Sequence, residues 1–157
     1  MGDSVSDINN LALGPKRSIA YRTIAGDEGL PTLVFLHEGL GCMAMWHGFP
    51  ARLCDRLGCP GLLYDRQGYG LSSPLTARRT LHYLHEYGLN ELPQVIAHLI
   101  PGRPLILVGH SDGGSIGLIH AAENPRYLMG VITEAAHVCV DKITLHGIRS
   151  AVAAYEK

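Results

Sequence analysis

Apolar residues along this chain fall into short runs that alternate with stretches of helical spacing. Thr32 to His37 (TLVFLH) is apolar at successive positions, as a strand covered on both faces must be. Ser18 to Ala25, Gly61 to Tyr64 (GLLY), Pro104 to Gly109 (PLILVG) and Leu128 to Thr133 read as further strands. Between them, Met43 to Leu57 places Trp46, Phe49, Leu53 and Leu57 on one face of a helix. Thr80 to Tyr87 and Asn90 to Ile100 read as two helical pieces, the first ended by Gly88 and the second capped by Asn90. Pro93 is tolerable in that second piece because first-turn N–H groups have no partner in the helix. Gly113 to Glu123 is a helix stopped near Asn124-Pro125. Ile143 to Tyr155 is amphipathic, with Ile143, Ile148, Val152 and Tyr155 on one side. Strands alternating with helices predict an α/β fold with a mostly parallel sheet and flanking helices.

Composition fits one such domain. The chain has 157 residues, 46% hydrophobic and 17% charged, with a mean hydropathy of +0.11. A net charge of −1 and no Lys/Arg run beyond pairs such as Lys16-Arg17 and Arg78-Arg79 leave no electrostatic footprint for nucleic acid or an anionic membrane. Cys42, Cys54, Cys59 and Cys139 form no C-x-x-C pair and have no zinc-finger spacing to His, so free thiols in a reducing, cytoplasmic setting are expected. The first residues carry no apolar signal-peptide stretch, and no run is long enough to span a bilayer. Met1-Gly2 with Ser6 fits the loose myristoylation pattern, but no second membrane signal accompanies it. His82 and His85 are three apart without a carboxylate or Cys to complete a metal site, so a solvated face is expected. No metal or organic cofactor is implied, and oligomeric state is not legible.

Candidate chemistry centres on Ser111. Gly109-His110-Ser111-Asp112-Gly113 matches G-x-S-x-G, with a strand before it and a helix after it. Small residues at minus two and plus two let the chain turn sharply, and the hydroxyl then projects at the positive end of a helix dipole. Acyl transfer also requires two backbone N–H groups aimed at the developing oxyanion. Asp112, next to the nucleophile, supplies one candidate. His37-Glu38-Gly39-Leu40-Gly41, directly after the TLVFLH strand, supplies the other, with Gly39 as donor. His37, Glu38, His110 and His137 are candidate substrate contacts.

Three stretches, HEGLG, then YDRQGYGLSS, then LVGHSDGGS, occur in the order found in the α/β-hydrolase fold family, and the chain resembles the N-terminal portion of that family over residues 18 to 138. Glu38 departs from the glycine that many relatives carry. The resemblance implies a serine hydrolase acting on a small ester, thioester, amide or related carbonyl substrate. It implies that Asp65, Arg66, Gly68 and Gly70 form a structural loop beside the site. It also places the triad acid and the His after later strands, beyond Lys157. The expectation is therefore that residues 1–157 are an incomplete core domain, lacking the C-terminal strands, with residues 141–157 beginning a lid. Within this chain His110 adjoins Ser111 but points elsewhere from such a turn, His120 lies over two helical turns on, and His146 starts the lid. Ser111–His137–Glu134 or Ser111–His137–Asp141 remain open as local substitutes. Asp112 resembles the carboxylate that meets the substrate amine in valacyclovir-hydrolase-like α-amino ester hydrolases, with Glu38 as a second acid, although a local cap or hydrogen bond is the favoured role.

Two rival readings stand. Gly39-Leu40-Gly41-Cys42-Met43-Ala44 fits G-x-G-x-x-A after a strand, with Asp65 ending the next strand where a ribose-binding acid belongs. A dinucleotide-binding domain would follow. Against it, Glu38 faces the approach of a pyrophosphate, and GHSDGG is left unexplained. The other rival is a non-catalytic relative of the hydrolase fold.

Overall fold

The computed structural model describes residues 5–140 and 142–155. Six strands form one sheet in the order β1-β2-β4-β3-β5-β6. These are β1 (Asn9–Gly14), β2 (Arg17–Ile24), β3 (Thr32–Leu36), β4 (Gly61–Tyr64), β5 (Leu105–His110) and β6 (Leu128–Glu134). The β1–β2 and β2–β4 pairs are antiparallel, and the β4–β3, β3–β5 and β5–β6 pairs are parallel. The helices are α1 (Phe49–Leu57), α2 (Tyr83–Glu86), α3 (Leu92–Leu99), α4 (Asp112–Ala122) and α5 (Lys142–Tyr155).

Every side chain of β3 is buried, as its unbroken apolar run predicts. Leu33 and Phe35 pack on the α1 side with Met43, Cys54 and Val108. Val34 and Leu36 pack on the other side with Leu92, Val95, Ile96 and Ile116 of α3 and α4. The two cores follow directly from the period-two alternation of a central strand.

Four features differ from the sequence expectation, one being that Asn90 does not cap α3, which starts at Leu92 with Glu91 at its N-cap and no side-chain cap bond. β1 was not anticipated, because NNLALG lies at the sheet edge and buries little. The helix expected over Met43 to Leu57 is interrupted. A 3-10 turn (Met43–Trp46) ends at His47, which has a positive φ (49°), and Pro50 sits in the first turn of α1. Gly88 does not end a helix. It lies in a π-helical turn (Tyr87–Glu91) joining α2 to α3, where an added Cβ would lie 3.1 Å from the Ile116 carbonyl oxygen. The glycine serves the close approach of α4, and His120 Nδ1 bonds to the Gly88 carbonyl at 2.9 Å. The His120 ring, buried and bonded also to the Tyr127 hydroxyl at 3.1 Å, thus has a packing role.

β3 leads to β4 on one side while β5 lies on its other side. The carboxyl ends of β3 and β5 are therefore a topological switch point, where the crevice of an open α/β sheet opens. β6 has β5 as its one neighbour among the described residues, with Met129 and Ile132 exposed. Among the described residues no helix is long and apolar enough to cross a membrane. Met1-Gly2 and Asp141 lie outside the described residues.

Candidate active site

Ser111 follows β5 directly and forms the N-cap position of α4, with φ 51° and ψ −117°. That is a conformation L residues with side chains rarely adopt. Hydrogen bonds hold it from both sides. Ser111 N–H donates to the Glu134 carbonyl at 2.8 Å, and Ser115 N–H donates to the Ser111 carbonyl at 3.1 Å. The flanking glycines answer to close backbone approach. A Cβ on Gly109 would strike the Gly113 carbonyl, and one on Gly113 would strike the Leu36 carbonyl.

Leu36 is in register with Gly109, so the loop after β3 comes to lie beside the Ser111 turn. Gly39 in that loop packs against the Asp112 carboxylate, with 2.6 Å from its would-be Cβ to Oδ2. Oδ2 also accepts the Tyr83 hydroxyl at 2.9 Å. Asp112 thus bonds across 29 positions of sequence rather than to its own helix end, and burial together with this bond pushes the Tyr83 phenol well above its ordinary pKa.

Glu38, Gly39, Ser111, Asp112 and His137 all line one cavity of about 720 Å³. Tyr69, Arg79 and Tyr83 form another wall, and Thr144, Gly147, Ile148, Ala151 and Val152 contribute α5 as the cover. The amphipathic pattern of α5 predicted an apolar side, and Ile148 and Val152 are the part of it turned to the cavity. Tyr69 and Tyr83 fall in stretches the sequence marks as a loop beside the site and a helical piece, but nothing in the spacing singles out these residues or Arg79 as cavity lining.

His37 and His110 do not line this cavity. His37 is 1% exposed, its Nδ1 bonded to the Glu38 carbonyl at 2.8 Å and its Nε2 accepting Arg66 N–H at 3.2 Å. Burial, then the adjacent Arg66 charge, lowers its pKa to about 3, so the ring is neutral. His110 Nδ1 lies 3.9 Å from Glu38 Oε2. His137 bonds through its backbone to the Ser115 hydroxyl at 2.8 and 3.0 Å, and its ring is 3.5 Å from Thr144 Oγ1. Among the described residues no imidazole is hydrogen-bonded to the Ser111 hydroxyl, and no cluster of His, Cys, Asp and Glu is fit to hold a metal.

A family model described as alpha/beta hydrolase fold matches residues 31–147. The chain belongs to the alpha/beta hydrolase fold family. It is 34% identical over 119 residues to the 2-succinyl-6-hydroxy-2,4-cyclohexadiene-1-carboxylate synthase of Enterobacter sp. (strain 638), covering 74% of this chain and 42% of that protein. It is 30% identical over 132 residues to the proline iminopeptidase of Saccharolobus solfataricus, covering 80% of this chain and 41% of the relative. The crystal structure of VinJ superposes with a TM-score of 0.72 at 27% identity, over 83% of this chain and 44% of VinJ. This α/β-hydrolase chain therefore spans less than half the length of the curated relatives it matches.

The dinucleotide reading of GLGCMA fails on geometry. The Glu38 carboxylate occupies the space beside Gly41 where a phosphate would approach. The Asp65 carboxylate is 1% exposed and accepts Met43 N–H at 2.6 Å and Leu71 N–H at 2.8 Å, so it braces two loops and offers nothing to a ribose. Gly41 is followed by a 3-10 turn of four residues, too short to present a helix dipole.

Proposed function

We propose that this chain carries the nucleophile and the oxyanion donors of a serine hydrolase acting on an ester, thioester, amide or related carbonyl substrate. The observation that supports it is the conformation of Ser111, held at φ 51° at the head of α4 in the cavity that Gly39 also lines. In this reading the Ser111 oxygen bonds to the carbonyl carbon as its proton passes to a base. The carbonyl electron pair moves to oxygen, which receives the N–H groups of Gly39 and Asp112. Collapse of the tetrahedral species expels the leaving group, which takes a proton. The described residues supply no general base to Ser111 in this reading. The relatives include a synthase and a peptidase, so the bond cleaved is left at the level of a carbonyl group.

The test supplies the base from solution. The chain is incubated with a fluorophosphonate in the presence and absence of imidazole, and the adduct is mapped by peptide mass spectrometry. Labelling at Ser111 that imidazole accelerates and Ser111→Ala abolishes is expected. Equal labelling of other serines, or none at Ser111 with imidazole present, overturns the reading.

A further inference from the structure

We propose that Arg66 is a positioning residue for the oxyanion site, turning and polarising the peptides that precede Gly39. The inference rests on the serine-hydrolase reading of Ser111 and extends it to a residue outside the cavity.

Arg66 is 1% exposed, one of the most deeply buried side chains in the molecule. Its guanidinium donates through Nη1 to the His37 carbonyl and through Nη2 to the Glu38 carbonyl at 2.8 Å. The planar fork therefore grips two successive peptides of the loop after β3. A trans peptide carries its C=O and N–H on opposite sides, and no peptide bond here is cis. With the carbonyls of His37 and Glu38 fixed on Arg66, the N–H groups of Glu38 and Gly39 point the other way. Successive N–H groups that point together form an anion-binding concavity. Gly39 borders the cavity that Ser111 lines.

The charge has an effect of its own. Burying a guanidinium costs several kcal/mol, and among the described residues no carboxylate lies within ion-pair distance of Arg66, although the buried Glu91 is near enough to feel its charge. The rings of Tyr69 and Tyr87, 4.6 and 5.3 Å from its central carbon, and the two carbonyl dipoles offset that cost. Neutral donors would satisfy the same carbonyls with less desolvation. A cation on the carbonyl side of a peptide additionally draws electron density from its N–H and makes it a stronger donor. His37 reinforces the arrangement. Neutral because it is buried, it bonds to the Glu38 carbonyl and accepts the Arg66 N–H, closing the ring of contacts.

The test compares the full chain with Arg66→Met and Arg66→Lys. Fluorophosphonate labelling of Ser111 with imidazole gives a maximal rate and a half-saturation concentration, and the Gly39 amide resonance is followed by NMR. A whole oxyanion donor is worth about 10²–10³ in rate. Arg66→Met is expected to lower the maximal rate about 10- to 100-fold on that scale, with half-saturation unchanged and the Gly39 amide shifted upfield. Arg66→Lys, which keeps the charge but not the fork, is expected to fall between. An unchanged maximal rate in folded Arg66→Met, or a loss confined to half-saturation, overturns the proposal. Should Arg66→Met fail to fold, Arg66→Lys decides, and wild-type rate and amide shift in that variant overturn it. If wild type itself is not labelled, the serine-hydrolase reading has failed. The Gly39 amide then still judges Arg66, and an unshifted resonance refutes it.

Discussion

The Tyr83 hydroxyl donates to Asp112 Oδ2 at 2.9 Å, tying the start of α2 to the residue that follows Ser111. Tyr83→Phe removes this bond and leaves the carboxylate half-buried against Gly39. A hydrogen bond to a charged group contributes about 1.5–3 kcal/mol when buried, and partial exposure here puts the expected loss at about 1 kcal/mol. Urea unfolding measures it. An ultraviolet pH titration should also show one tyrosine fewer among those ionising above the ordinary range.

Gly39→Ala is expected to be costly for a reason outside backbone freedom. The new methyl would lie 2.6 Å from Asp112 Oδ2, forcing the carboxylate from Tyr83. The double variant Gly39→Ala/Asp112→Ala removes the obstacle. Its stability should exceed that of Gly39→Ala alone, a positive coupling of about 1 kcal/mol in a double-mutant cycle. Additive losses would show that the carboxylate yields freely.

Ser111 stores backbone strain at φ 51°, ψ −117°. Such conformations cost about 1–3 kcal/mol for residues with a Cβ. Ser111→Gly should therefore raise the unfolding midpoint in a thermal melt even though it removes the proposed nucleophile. A lowered midpoint would mean that the turn is not under strain.

His37 makes stability fall in mild acid. Burial holds its folded pKa at about 3, against 6.5 for the free group. Below 6.5 the unfolded chain takes up a proton that the folded chain refuses, so stability is full above that pH. It declines between pH 6.5 and 3, with a slope approaching about 1.4 kcal/mol per unit for one proton. His120, also buried and lowered, adds a slope of the same sign. Urea unfolding at pH 7 and pH 5 reads the effect, and His37→Gln should flatten it.

Several features were legible because local chemistry alone dictates them. TLVFLH has no polar face, so it becomes a strand buried on both sides. Gly109, Ser111 and Gly113 mark a turn too tight for larger neighbours, and α4 begins at Asp112, one residue before the expected Gly113. The candidate site was legible at Ser111 and in the loop holding Gly39 because both follow strands directly. Expectations failed where distant packing overrides local pattern. NNLALG reads as polar until β2 pairs with it. Gly88 reads as a stop until the Ile116 carbonyl approaches it.

The chain by itself determined the five strands β2 to β6, where the sharp turn falls and that a serine stands on it, since each depends on neighbours in sequence. Tertiary structure alone decided the partners of that turn. Register between β3 and β5 sets Leu36 beside Gly109 and so brings Gly39 to Asp112. The buried Arg66 reaches back 28 and 29 positions to the Glu38 and His37 carbonyls, and Tyr83 reaches 29 to Asp112. Such pairings depend on which strands lie side by side and on what burial leaves unpaired, and neither is written in the spacing of residues along the chain.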